Sequence, residues 1–139
     1  MSKSTRVKHL TGVKHGWRSG LEESVGASLE ARGADFEFET LKLKWTPPTK
    51  ERTYTPDFII TTRSGKQIVV ETKGRWVTAD RHKMQVVIEQ HPELDIRMVF
   101  QNPNAKIRKG SKTTYADWCE QKLGIPWAKG DVPDSWLEE

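Results

Sequence analysis

The chain has one cysteine, no long apolar run and no acidic residue before Glu22. Each absence excludes something. A single thiol, Cys119, cannot close an intrachain disulfide, and without a Cys pair or Cys/His spacing a structural zinc site is not expected. Cys119 therefore reads as a half-buried helix residue. The longest apolar stretches, Phe58–Ile60 and Val86–Ile88, are far too short for a membrane span, and the N-terminal end has no signal-peptide core. A cytoplasmic protein is expected, neither secreted nor membrane-bound. Nothing calls for a nucleotide cofactor. There is no internal repeat or low-complexity segment, and 139 residues fit one compact domain.

What is present is positive charge. Lys and Arg number 23 against 19 acids, and four of those acids (Asp131, Asp134, Glu138, Glu139) fall in the last nine residues, so residues 1–130 carry +8. Two stretches concentrate the charge: Lys3, Arg6, Lys8, Lys14 and Arg18 in a polar, aperiodic arm over residues 1–18, then Lys106, Arg108, Lys109 and Lys112. Clustered cations of this kind suit DNA phosphates, although a solubilising tail or loop has the same composition. The six tryptophans read as core or interface anchors, since none sits in a base-stacking motif.

The densest chemistry lies in YTPDFIITTRSGKQIVVETKG, residues 54–74. Side chains alternate along a strand, so Glu71 and Lys73 share a face and Thr72 points away. Asp57 joins them only if it lies opposite Glu71, which fixes the register at paired numbers summing to 128. Thr62 then pairs with Lys66, leaving Arg63-Ser64-Gly65 as a loop with glycine where a left-handed residue is required. A two-residue Ser64-Gly65 turn would set Asp57 on the wrong face. Two carboxylates and an ammonium at one point are what metal-dependent phosphodiester hydrolysis needs: oxygens for Mg²⁺ and a cation near the phosphate. The plainer alternative is a turn-capping Asp57 beside a solvated Glu71–Lys73 pair.

Around this hairpin the pattern predicts the order α-β-β-β-α-β-α, an α/β (α+β) mixed sheet flanked by helices. Ser19 and Glu22 have capping-box spacing, Leu21, Val25 and Leu29 form a helical stripe, and Gly33 stops it. Phe36 and Phe38, then Leu41, Leu43 and Trp45, alternate as strand, with a parity switch that a bulge near Thr40 or two-sided burial would explain. Thr46 to Lys50 reads as a stiff extended connector. A helix is expected from Thr78 or Asp80 to His91, a strand over Ile96, Met98 and Phe100, and a helix around Tyr115–Leu123 closed by Gly124. The remainder reads as a Pro-containing tail.

The segments RSGLEES, YTPDF, VETKG, EQHPELDIR and GSKTTYADWCEQ, in order from Arg18 onward, resemble the phage endonuclease I family. That resemblance implies a restriction-endonuclease-like α-β-β-β-α-β core and a domain-swapped homodimer, with 1–18 as arm, 19–139 as nuclease domain and 46–51 as the connector between protomers. It implies resolution of four-way (Holliday) junctions and other branched DNA in the host cytoplasm. It carries over metal-ligand roles to Asp57, Glu71 and the main-chain carbonyl of Thr72, the active-site lysine role to Lys73, and an acidic role to Glu22. The residues alone leave Glu22 open, because a capping-box glutamate does the same local job. The expected mechanism uses two Mg²⁺ ions, with Mn²⁺ able to substitute, one on Asp57 and Glu71 and a second on Asp57 and Glu22. A sequence-specific type II-like restriction endonuclease and a non-catalytic DNA-binding protein are the alternatives.

Overall fold

The computed structural model describes residues 17–47 and 51–139. Lys3, Arg6, Lys8 and Lys14 of the expected arm, and the middle of the expected connector, lie outside the described residues. The chain opens with helix α1 (Gly20–Ala31) and strand β1 (Asp35–Phe38), followed by β2 (Leu43–Trp45) and β3 (Arg52–Tyr54). The hairpin β4 (Phe58–Thr61) and β5 (Gln67–Lys73) leads to helix α2 (Thr78–Gln90) and strand β6 (Ile96–Phe100). A short helix α3 (Tyr115–Trp118) continues as a π-turn (Cys119–Leu123), and β7 (Trp127–Lys129) and α4 (Asp134–Leu137) complete it. Five strands form one mixed sheet in the order β1-β4-β5-β6-β7, while β2 and β3 make a separate antiparallel pair.

Local chemistry accounts for the elements that carry the site. The Ser19 hydroxyl accepts the Glu22 N–H at 3.1 Å, starting α1, and Gly33 at φ +66° ends the turn after it. Val25 and Leu29 are fully buried against the sheet. The β4–β5 register is Phe58↔Val70 through Thr61↔Gln67, every pair summing to the expected 128. Thr62 N–H donates to Lys66 O at 2.7 Å and Gly65 adopts φ +94°, so the loop is the three-residue type its glycine predicted. Parallel pairing of β5 with β6 needs a crossover, which α2 supplies.

Two apolar cores sandwich the sheet. On one face α1 and α4 pack Val25, Leu29 and Trp136 against Phe36, Phe58, Ile60 and Val70. On the other, α2 and α3 pack Met84, Val87, Tyr115 and Trp118 against Val69, Met98, Phe100 and Trp76. Trp76 is fully buried, its ring 4.9 Å from Phe100 and 5.3 Å from Trp118. Burying each such large side chain contributes roughly 1.5–3 kcal/mol, and these cores hold β5 rigid from both sides.

Several expectations are corrected. The parity switch after Phe38 is not a bulge in one strand: β1 ends there, Glu39 turns at φ +55°, and the chain leaves for a second sheet. On either side of the expected connector, Leu43–Trp45 pairs antiparallel with Arg52–Tyr54, while residues 48–50 lie outside the described residues. Strand β3 is an addition to the expected order, three residues long and without the apolar alternation of the other strands. The supposed tail supplies β7 and α4, and its Ala128, Val132 and Trp136 are core residues. Cys119 is fully buried rather than half-buried, its Sγ 3.7 Å from the Ile125 carbonyl.

Candidate active site

The open end of the β4–β5 hairpin, where α1 also starts, gathers the charged residues that the sequence singled out. Asp57 sits in a bend just before β4 and is 2 % exposed. Its backbone N–H donates to Glu71 Oε1 at 3.3 Å. Its carboxylate turns elsewhere: Oδ2 accepts the Thr72 N–H at 2.9 Å and the Thr72 hydroxyl at 2.8 Å. The ladder stops at Phe58–Val70, one pair short of Asp57, so the pleat does not fix that side chain. Thr72, expected to face away, thus orients Asp57.

Glu71, on β5, is buried and receives the Tyr54 hydroxyl at 2.6 Å. Lys73 Nζ lies 3.7 Å from Glu71 Oε2 and 3.4 Å from Asp80 Oδ2, the latter in the first turn of α2. Glu22 is buried in the first turn of α1. Its Oε1 accepts the Arg18 N–H at 2.9 Å, so it makes the local helix-start bond and also points into the site.

Glu22, Asp57 and a residue that strand alternation passes over, Glu39, each offer a carboxylate oxygen within 4.8 Å of one another. Glu39 is held there by its N–H donating to the Asp57 carbonyl at 2.9 Å. No motif marks it in the sequence; the available signal is the parity break, which marks the chain leaving the sheet. Glu71 flanks this trio through the Asp57 amide. Arg18, expected to contact phosphate, lies with the acids, its guanidinium paired with Glu39 and 3.6 Å from both Glu22 and Asp57. Tyr54 and Asp80 carry no sequence signal either, because each acts only through a partner distant in sequence. Lys106, Arg108, Lys109 and Lys112 are on the loop between β6 and α3, and all four are exposed.

Burial sets the electrostatics. Desolvation pushes the Glu71 carboxyl up to about 8, with the negative Asp57 adding to it and Lys73 opposing it. Desolvation likewise pushes Asp57 up to about 6 against the two Thr72 hydrogen bonds, with Glu22 contributing a smaller rise. Tyr54 is held well above its ordinary value by burial and by the charge of Glu71. Burial that raises both Asp57 and Glu71 in this way marks a site short of positive charge. Oxygen-only donors of this kind fit a hard divalent cation such as Mg²⁺ or Mn²⁺, and an arginine seated among them demonstrates that the cradle accepts a cation.

The chain is similar to known proteins along most of its length. The chain is 46 % identical over 123 residues to Endonuclease I of Escherichia phage T7, covering 88 % of this chain and 79 % of that one. It is 42 % identical over 123 residues to Endodeoxyribonuclease 1 of Enterobacteria phage T3, covering 88 % and 78 %. The family described as Phage endonuclease I matches residues 1–139. With relatives this similar and a family match along its whole length, the chain belongs to the phage endonuclease I family.

Proposed function

We propose that this protein is a metal-dependent endodeoxyribonuclease that resolves four-way and other branched DNA junctions, working as a domain-swapped homodimer in the host cytoplasm. The observation that carries the reading is the convergence of Glu22, Glu39, Asp57, Glu71 and Lys73 at one end of a rigid hairpin, in a chain whose relatives are named endonucleases.

The carboxylates of Asp57, Glu71, Glu22 and Glu39 would hold the divalent ions, and four of them suffice for two ions sharing Asp57, with the Thr72 carbonyl assisting. Bound there, Mg²⁺ or Mn²⁺ would supply Lewis-acid neutralisation of phosphate charge and a more acidic water. Thr72 keeps Asp57 aimed through two donors, and Tyr54 fixes Glu71 in one rotamer through its hydroxyl. Lys73, placed between Glu71 and Asp80, orients water or offsets charge on the phosphorane-like transition state. The basic loop Lys106–Lys112 and the arm supply phosphate contacts that fix the duplex without reading sequence.

A symmetric junction suits a two-fold dimer with two sites. In the single chain described, Glu22 meets Asp57 within one polypeptide; in the proposed swap the segment up to Trp45 exchanges with its counterpart through the connector 46–51, so the same contacts would form between chains and Glu22 and Lys73 of one site would come from different chains. Co-refolding Glu22→Ala with Lys73→Ala tests this: the heterodimer has one intact site and nicks a junction once, whereas within-chain sites leave the mixture dead. The function itself is tested by incubating an immobile four-way junction with protein and Mg²⁺ beside a linear duplex. Junction cleavage abolished by EDTA is the expected result; equal cleavage of a linear site, or binding without cleavage, overturns the reading.

A further inference from the structure

Arg18 touches three carboxylates at once. Its Nη2 is 3.6 Å from both Glu22 Oε2 and Asp57 Oδ1, and its Nη1 pairs with Glu39 Oε2. These are the same three acids whose oxygens lie within 4.8 Å of one another. The backbone is tied to the same place, since the Arg18 N–H donates to Glu22 Oε1 at 2.9 Å. A guanidinium and a hard divalent ion draw on the same carboxylate lone pairs, so one position cannot serve both. The arginine side chain is 61 % exposed, whereas those of Glu22 and Asp57 are 9 % and 3 % exposed. It therefore closes the mouth of the acid cluster from the solvent side and can leave without disturbing either core.

We infer that Arg18 is a displaceable counter-ion of the acid cluster: it neutralises Glu22, Glu39 and Asp57 while no divalent ion is bound, and yields that position when a DNA phosphate takes its guanidinium. The inference rests on the metal-dependent nuclease reading above. Arginine suits the exchange because its planar fork matches carboxylate and phosphate equally. Glu39 belongs to the device, since its amide bond to the Asp57 carbonyl keeps its carboxylate under the guanidinium. Metal uptake and DNA binding become coupled. Phosphate draws the arginine off the acids, the freed acids take up metal, and by reciprocity metal tightens phosphate binding by the same factor.

The test is Mn²⁺ titration into DNA-free protein by isothermal calorimetry, comparing the parent chain with Arg18→Ala and Arg18→Gln and using Asp57→Asn to identify heat from this site. Both Arg18 variants are expected to bind Mn²⁺ at least about fivefold more tightly, the lower end of ordinary coupling between sites. In a Lys73→Ala background, which keeps DNA uncut, adding a four-way junction should tighten Mn²⁺ binding when Arg18 is present and much less when it is alanine. Asp57-dependent Mn²⁺ binding that is equal or weaker in both Arg18 variants, or a junction effect that persists in full without Arg18, overturns the inference and leaves the metal site standing. Absence of any Asp57-dependent Mn²⁺ binding, with or without the junction, overturns the metal reading and this inference together.

Discussion

The two ends of the β4–β5 hairpin both carry acids beside bases, yet their electrostatics run in opposite directions. At the loop end, Asp95 and Glu139 share Arg97 and Lys66 through bonds of 2.6–3.2 Å, with Arg97 capped by the Trp136 ring. Hydrogen bonds from Arg97, assisted by Lys66, hold Asp95 down to about 2. At the open end, burial pushes Asp57 up to about 6 and Glu71 up to about 8. The loop end is matched charge that fastens the chain's last residues to the sheet. The open end keeps acids together without enough cation, a cost to the fold that only binding can repay.

The sharpest way to break this contrast is to neutralise the open end. Asp57→Asn, Glu71→Gln and Lys73→Ala should each lower junction cleavage by at least about a thousandfold, the scale of losing a main electrostatic contributor to the transition state. Junction affinity measured by gel shift should stay within a few fold, because it comes mainly from Lys and Arg contacts with phosphate. Near-normal turnover in Glu71→Gln would remove the open end from the chemistry.

The converse change is Arg97→Ala at the loop end. It leaves Asp95 and Glu139 with Lys66 alone and empties a nearly buried position, and losing hydrogen bonds to charged groups there costs about 1–3 kcal/mol. Chemical denaturation should report that loss, while kcat of the folded fraction remains close to the parent value. A stability change below about 1 kcal/mol would mean the pairing is an idle surface contact.

The two ends should also respond oppositely to pH. A folded-state pKa raised to about 8 means that native Glu71 keeps its proton while the unfolded chain, near 4.5, releases it. The protonated state therefore favours folding below about pH 4.5, and that advantage fades as pH rises through about 8. Glu71→Gln should accordingly melt several degrees above the parent at pH 8 without metal, and close to it at pH 5. For Asp95, held down to about 2, the sign reverses: its contribution is present above about pH 4 and is lost as pH falls toward 2. Parallel melting curves of parent and Glu71→Gln across pH 5–8 would contradict the desolvation of Glu71.

The smallest effect is expected at the exposed basic loop. Replacing Lys106, Arg108, Lys109 and Lys112 with alanine should flatten the log-log salt dependence of junction binding by up to about 0.9 for each phosphate left unneutralised, with metal affinity unchanged. An unaltered slope would mark the loop as a bystander.

The sequence determined the hairpin and its register, because Gly65 suits a three-residue loop and that loop, unlike a two-residue turn, also sets Asp57 opposite Glu71. It also determined α1, from a local cap and stripe, and α2, from its periodicity and the proline that stops it. Contacts between distant segments were another matter. The hydroxyl of Tyr54 on Glu71, the Asp80 carboxylate beside Lys73, and the entry of Trp136 into the core each join parts of the chain whose local patterns say nothing of one another. Glu39 and Arg18 make the point most plainly. Composition assigned Arg18 to phosphate and no local pattern marked Glu39, and only a turn out of the sheet and the approach of α1 brought them onto Asp57. Periodicity encodes which face a residue shares with its own strand or helix; the meeting of two such faces is decided by packing, and that packing forms the acid cluster.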